Sequence, residues 1–455
     1  MHTGIRNLRL TAIASVLLLA PVASQAGVLR DLYQLAQDND QTLLSARYQR
    51  DAAKEAKPQA WGALLPQVSA QAGAKQNRFK VLQTGDKASV LYQQLQETYN
   101  SESYVLQLSQ TLFDWTAFKK VAAADATVAQ AEAAYRSAEQ KLVLRLVGAY
   151  LDVLSAQDAL RADLDAQSAF KQQYETQEAK YKSGLAAVTD ARNAQASYDS
   201  STATVITDTL ALNKAKRALS VIIGRPMDRV APLREEIALA PPNPASVDSW
   251  VAAAQDTNLD LMAARYAAEA ARQSVSAAFG AHLPTIAASG VLDREYSTST
   301  FGYDSQNAYV GVNLTWPLFR GGQVSSGVRQ AEAGEKKAQA DYQQQLQITN
   351  QSVRDHYEGV VSGISAVKAS ANAVNSQQAS VVATEVGFKV GARTIIDALN
   401  TRQALVGAQK ALAQARYSYL INLLQLKGDV GQLSAADIDD LDALLGGGES
   451  GGARR

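Results

Sequence analysis

Phe388 to Leu405 reads FKVGARTIIDALNTRQAL: a glycine interrupts sequence that otherwise favours helix, and charged and amide residues follow it closely. Tyr181 to Tyr198, YKSGLAAVTDARNAQASY, matches it at a constant offset of 207 (388 − 181). Lys182 aligns with Lys389, Gly184 with Gly391, Asp190 with Asp397, Ala191 with Ala398 and Asn193 with Asn400. The chain carries one turn twice, and its organisation follows from how far each copy extends.

Upstream, AQDNDQTLLSARY (Ala36 to Tyr48) matches AQDTNLDLMAARY (Ala254 to Tyr266) at offset 218 (254 − 36). Gly62 and Leu65-Pro66 match Gly280 and Leu283-Pro284 at the same offset. Leu112-Phe113 matches Leu318-Phe319 at offset 206 (318 − 112), so about twelve residues (218 − 206) are extra in one loop of the first copy. Repeats of roughly 200 residues are whole structural units rather than solenoid turns. The expected division is a first unit over 27–230, a proline-rich link over 231–246, a second unit over 247–433 and a C-terminal segment over 434–455. The last ten residues, GGGESGGARR, read as a flexible tail.

Composition narrows the class. With 44 basic and 44 acidic residues the chain has no net charge, so it lacks the electrostatic footprint of a nucleic-acid binder. Hydrophobic residues make up 47% but aromatics only 7%, which favours long alanine-rich helices over thick globular cores. Residues 1–26 place Arg6 and Arg9 before the apolar run AIASVLLLAPVA and then Ser24-Gln25-Ala26, the pattern of a signal peptide. No other window holds the ~18 consecutive apolar residues of a spanning helix. The absence of cysteine excludes disulfides and a lipid-modified N-terminal Cys. Membrane contact is therefore expected from strands.

An enzyme is not expected: beyond residue 26 the histidines are His282 and His356, and no phosphate-cradling glycine loop or nucleophile elbow occurs. No cofactor is implied.

After Pro66, Val68, Ala70, Ala72 and Ala74 alternate with Gln67, Ser69, Gln71 and Gly73, the two-residue period of a strand with one apolar face. Tyr104, Leu106 and Leu108 alternate with Gln107, Ser109 and Thr111. In the second copy Ile286, Ala288 and Leu292 oppose Thr285, Ser289 and Asp293, and Val310, Val312, Leu314 and Trp316 oppose Asn313 and Thr315. Tyr92, Tyr99, Tyr104, Phe113, Trp115, Tyr296, Tyr303, Tyr309, Trp316 and Phe319 are expected at strand ends, where amphipathic rings suit a membrane interface. Long proline-free runs, 115–181 and 320–388, predict helices on the order of 100 Å, each followed by a glycine turn and a returning helix. Four strands cannot close a barrel in lipid, where ~8 is the small end, so several chains must contribute.

The twofold repeat, the Leu-Pro strand openings, TLFDW, WPLFRGG, VGARTIIDALN and ARYSYLINLLQLKGDVGQL (Ala415 to Leu433) resemble the TolC family of outer-membrane channel-tunnels over the whole chain beyond residue 26. The resemblance implies an α+β membrane protein and a homotrimer. Four strands per chain form a β-barrel in the outer membrane lipid of a Gram-negative bacterium, continued by a long α-helical coiled-coil barrel across the periplasm. It further implies a passive exit duct for small molecules or type I protein secretion. A periplasmic adaptor and an inner-membrane pump, ABC or proton-driven, would open it. The rival reading is a soluble periplasmic coiled-coil adaptor, which would carry one hairpin rather than two full copies.

By the same resemblance Gly184 and Gly391 mark the hairpin turns at the periplasmic tip. Thr189, Asp190, Phe388 and Arg393 correspond to the closed-state latch, and Asp397 and Asn400 to the entrance constriction. Two departures stand out. Phe388 occupies the place of a tyrosine in the family's best-known member and has no hydroxyl to donate. Asn400 replaces a second aspartate, leaving one carboxylate ring.

Overall fold

The structure, a computed structural model, describes residues 28–80, 96–227, 230–234 and 236–446. The signal-like stretch, Tyr92 and nearly all of the glycine-rich tail lie outside the described residues, as does the region 81–95, within the stretch where the first copy's extra residues fall.

Each copy begins with short helices. In the first these are α1 (Val28–Asn39), α2 (Gln41–Lys54) and α3 (Ala56–Gly62); in the second, α6 (Val247–Thr257) and α7 (Leu259–Gly280). The start of α2 and that of α7 are built alike. The Leu43 N–H donates to the Asp40 carboxylate and the Leu261 N–H to the Asn258 amide oxygen, each capping a helix at equivalent positions. The copies then diverge for a local reason. Pro58 in α3 has no N–H to give the carbonyl four residues back, and α2 breaks from α3 at Glu55; Ser276 stands at that position in α7, which is continuous.

The strands are β1 (Gln67–Lys80), β2 (Gln96–Phe113), β3 (Thr285–Ser297) and β4 (Asp304–Thr315), one antiparallel sheet in the order β1-β2-β3-β4. Register places Val68 opposite Leu108, Ala70 opposite Leu106, Leu106 opposite Leu292, Gly290 opposite Val310 and Ile286 opposite Leu314. One face is thus a continuous apolar surface, and Val310 on it is 89% exposed. Gln107, Asn313 and Thr315 lie on the other face, where the Asn313 amide donates to Ser289 Oγ at 3.1 Å. Tyr104 and Tyr309 depart from the expected strand-end positions. Both lie mid-strand, and Tyr309, opposite Val291, projects from the polar face because its parity is opposite to that of Val310. No helix among the described residues is long and apolar enough to cross a membrane.

Four long helices complete the repeat: α4 (Trp115–Lys182) with α5 (Val188–Ile223), and α8 (Gln323–Lys389) with α9 (Ile395–Asp429). Their ends at the turns preserve the offset of 207, with Lys182 matching Lys389 and Val188 matching Ile395. Leu146 and Val153 of α4 and their equivalents Val353 and Val360 of α8 are all buried in one core. That core lies where the helices meet α1, α5, α9 and α10 (Ala435–Leu444). Helix α10 occupies sequence read as C-terminal segment, and it is clamped in place. The Leu29 and Arg30 N–H groups at the start of α1 donate to the Asp442 carboxylate at 2.8 and 3.0 Å. The proline-rich link is also held, since Tyr150 donates to the Ala231 carbonyl at 2.9 Å and Tyr419 to that of Ala240 at 3.0 Å.

Asn258 both caps α7 and donates its amide N–H to the Asp429 carbonyl at 2.8 Å. Asn258→Ala is expected to lower stability by about 1–2 kcal/mol, measured by denaturant unfolding, with Asn258→Asp recovering the cap.

Candidate functional site

The two hairpin turns use the same backbone solution. Gly184 and Gly391 have φ of 76° and 79°, the left-handed region that other residues resist. The Leu185 N–H reaches back to the Lys180 carbonyl and the Ala392 N–H to that of Gly387, both at 2.8 Å, closing each helix end.

The returning helices begin differently. In α9, Thr394 Oγ1 accepts from the Asp397 N–H at 3.2 Å and the Asp397 carboxylate accepts from the Thr394 N–H at 3.0 Å. This reciprocal box is written in the sequence as Thr394-x-x-Asp397, a signal that the sequence reading passed over. Asp397 therefore sits in the first turn of α9. The Thr394 backbone and side-chain hydrogen bonds, with Arg393 nearby, hold its carboxyl below the usual carboxylate range. In α5 the equivalent cap position is Ala187, which has no side chain to offer, and Asp190 has no such box.

Thr189 and Asp190 lie in the first turn of α5, and Asn400 is exposed one turn beyond Asp397. Arg393 is exposed in the α8–α9 turn, its stem so close over Gly387 that a Cβ there would meet Arg393 Cγ at 2.8 Å. Among the described residues no hydrogen bond or ion pair joins Arg393 to Thr189 or Asp190 within the chain. The structure brings Phe388, Arg393 and Asp397 to one tip and leaves Thr189 and Asp190 on the other.

Phe388 is half-buried against a second, separate core of Ala166 and Phe170 from α4 with Ile395, Leu399 and Val406 from α9. Lys180 Nζ stands 5.8 Å from its ring centroid. Beside this core a cleft of about 380 Å³ opens between the two hairpins, lined by Gln173, Lys180, Glu385, Phe388 and Arg402 among others. Arg402 and Glu385 pair at 2.5 Å, and the side-chain amide nitrogen of Gln173 is buried with no hydrogen-bond partner among the described residues.

Further from the tip, Lys410 of α9 donates to Asp163 of α4 at 2.6 Å and to Asp208 of α5 at 2.9 Å. Burial, with the hydrogen bond shared with Asp208, pushes the Asp163 carboxyl up; Asp208 is held down, against its burial, by Asp163 and Lys410. Sequence reading missed this triad and the Phe170 core. The signal that finds both is position-by-position comparison of the copies, because Lys410 and Phe170 correspond to Ala203 and Gln377 at offset 207.

A sheet with one uncovered apolar face, continued by paired long helices ending in twin glycine turns, suits a membrane duct. The profile of the family described as outer membrane efflux protein matches residues 32–225 and 250–432. The chain belongs to that family. It is 33% identical over 422 residues to the outer membrane protein TolC of Vibrio cholerae, covering 92% of this chain and 93% of that one. It is 29% identical to the alkaline protease secretion protein AprF of Pseudomonas aeruginosa, over 97% of this chain and 92% of that one. Among solved structures, the CmeC outer membrane channel of Campylobacter jejuni superposes with a TM-score of 0.76 at 18% identity, covering 92% of this chain and 90% of that one. As an outer membrane efflux protein, the chain is an exit duct of the outer membrane that extends into the periplasm. This is a transport family, not an enzyme family. The soluble-adaptor reading falls with that membership.

Thr394→Ala removes one half of the α9 box and is expected to destabilise the second tip, seen as faster amide exchange over 394–399 with the Thr189 tip unchanged. Because the Asp397 carboxyl is held below its ordinary 3.8, its ionised form and the box it makes persist above that value. Both are lost only as pH falls through the lowered one.

Proposed function

We propose that three copies of this efflux protein close into one twelve-stranded barrel and one twelve-helix tunnel. An adaptor and an inner-membrane pump open the periplasmic end. The observation that carries the reading is the uncovered sheet: β1 and β4 each leave a row of backbone groups without a strand partner among the described residues, a state that lipid does not tolerate.

The internal repeat supplies the missing contacts. Within one chain β2 of the first copy pairs with β3 of the second, and α4 packs against α7 and α9. Replacing each element by its equivalent gives the contact between one chain and the next: β4 on β1, and α8 on α2, α3 and α5. Leu106 lies opposite Leu292; their equivalents at offsets 206 and 218 are Val312 and Ala74, which therefore face each other across the protomer boundary. Both lie on the apolar face, so the parity is consistent. Phe319, 87% exposed in the single chain, would be partly covered by the same contact, as its equivalent Phe113 beside Ile286 is half-buried.

At the tips, Asp190 and Thr189 of one chain and Arg393 of the next form the latch. An exposed pair of this kind contributes ~1 kcal/mol or less, weak enough for a docking partner to break. The cleft beside Phe388, with the unpartnered Gln173 amide and the Arg402–Glu385 pair, is the surface offered to the adaptor. Asp397 contributes one carboxylate from each chain to a ring at the mouth, which favours cations. The relative AprF is named for protease secretion, so type I secretion joins small-molecule efflux as a use of this duct.

Val312→Cys with Ala74→Cys should cross-link one chain to the next and give a ladder ending at three chains on a denaturing gel; only intrachain product would overturn the proposed arrangement. In planar bilayers Arg393→Ala should raise conductance, and Asp397→Asn should lose cation preference and block by a trivalent cobalt complex. Asn400→Asp should strengthen both. An Asp397→Asn channel indistinguishable from wild type would remove Asp397 from the entrance.

A further inference from the structure

The polar face of the sheet changes chemistry along its length. On the proposed barrel the apolar face meets lipid, so the polar face lines the lumen. Near the helices this lining is Gln67, Ser69, Gln107, Thr285, Asn313 and Thr315, all uncharged. At the end remote from the helices, which opens outwards, rings and carboxylates replace them. Register puts Phe79 opposite Glu97, Asp293 opposite Asn307, Glu295 opposite Ser305, and Tyr309 opposite Val291 and so diagonal to Asp293. Every one of these has the parity of Gln107 and Asn313 and therefore faces the lumen.

Phe79, Tyr303 and Tyr309 are exposed, and each has a carboxylate at hand. Glu97 lies across from Phe79, and the Tyr303 hydroxyl donates to Glu295. The carboxylates are oriented without being neutralised. Glu97 accepts from the Thr300 N–H and hydroxyl at 2.6 and 2.5 Å, and Asp293 from the Asn307 amide at 3.1 Å. Among the described residues neither these two nor Glu295 is ion-paired. The outward face at the same end is treated in the opposite way, for Arg294 holds the Asp304 carboxylate at 3.0 and 2.7 Å. Lys75, opposite Ser101, is the one cation on the polar face of the described strands. Three carboxylates against one ammonium leave that lining at −2 per chain (1 − 3).

Uncovered rings and unpaired carboxylates on one wall suit a particular occupant. A cation is attracted both to a π face and to a carboxylate, and an apolar body attached to it covers the ring. An inorganic ion would use the carboxylates alone, and an aromatic anion would be repelled by them. We infer that the outer end of the lumen binds organic cations with aromatic bodies, through the rings of Phe79, Tyr303 and Tyr309 and the charges of Glu97, Asp293 and Glu295. This rests on reading the sheet as part of a barrel. The register that sets Ala74 against Val312 also sets Phe79 of one copy beside Asn307 of the next, since 79 + 307 equals 74 + 312, so the wall continues across the boundary between copies. Small-molecule cargo of this class would meet a station at the exit, at the opposite end of the duct from Asp397.

The test titrates ethidium, an aromatic cation, with the full-length protein in lipid nanodiscs, reading fluorescence anisotropy against empty nanodiscs. Saturable binding is expected. Asp293→Asn with Glu295→Gln should weaken it several-fold, as should Phe79→Leu with Tyr309→Leu, which keeps apolar bulk but removes the π faces. Tyr309→Phe alone should leave binding intact, Lys75→Gln should tighten it, and Asp397→Asn should not change it. Equal binding of fluorescein, an aromatic anion, would show a plain apolar surface and overturn the inference. So would ethidium binding that the leucine pair leaves unchanged, or that only Asp397→Asn weakens. The cysteine ladder from Val312 and Ala74 reports separately on the barrel. Should the ladder fail, the arrangement is wrong, and the Asp293, Glu295 and Tyr309 variants, which lie on one hairpin of one chain, still decide whether this wall binds the cation.

Discussion

The unpaired edges of a four-stranded sheet govern the rest of this molecule. In water, β1 and β4 could end in solvent; in hydrocarbon each open N–H and C=O costs several kcal/mol. The apolar face that Val68, Leu106, Leu292, Val310 and Leu314 build excludes water as the environment of this sheet. Closure by other copies is the remaining solution, and it obliges the helices below to form a ring as well. On the proposed arrangement the repeat makes that economical, because an interface already present inside the chain would serve as the pattern for the one between chains.

Two nearly equivalent units need not do the same work. Where structure must be rigid, the copies agree: the helix caps at Asp40 and Asn258, the glycine turns at 184 and 391, and the buried pairs Leu146 with Val353 and Leu142 with Thr349. They disagree at the tip and in the helices beyond it. Thr394 caps α9 where Ala187 cannot cap α5, and Phe170, Leu399 and Lys410 have polar or small counterparts.

Much of this was legible beforehand, for identifiable reasons. Period-two alternation placed the strands and their apolar faces, and proline-free runs gave α4 and α8 nearly to their ends, because both signals are local. Tyr104 and Tyr309 were misread because aromatic content was weighed without their distance from the strand ends. Helix α10 was passed over because its stability comes from Asp442 capping a helix 412 residues away, which no local pattern records. The Asp397 box was legible as Thr-x-x-Asp, but the residue was considered only as a charge. The Phe170 core and the Lys410 triad join helices that are distant in sequence, so periodicity could not reveal them.

The central claim is that the repeat inside one chain dictates how chains meet. Electron cryomicroscopy of the purified full-length protein in lipid nanodiscs tests it most directly. The expected map shows a closed barrel in which β4 of each copy pairs with β1 of the next while α8 lies against the neighbour's α5, alternating with the α4–α9 seam around the ring. A closed barrel with any other strand or helix adjacency, or a sheet that remains open in lipid, would contradict it.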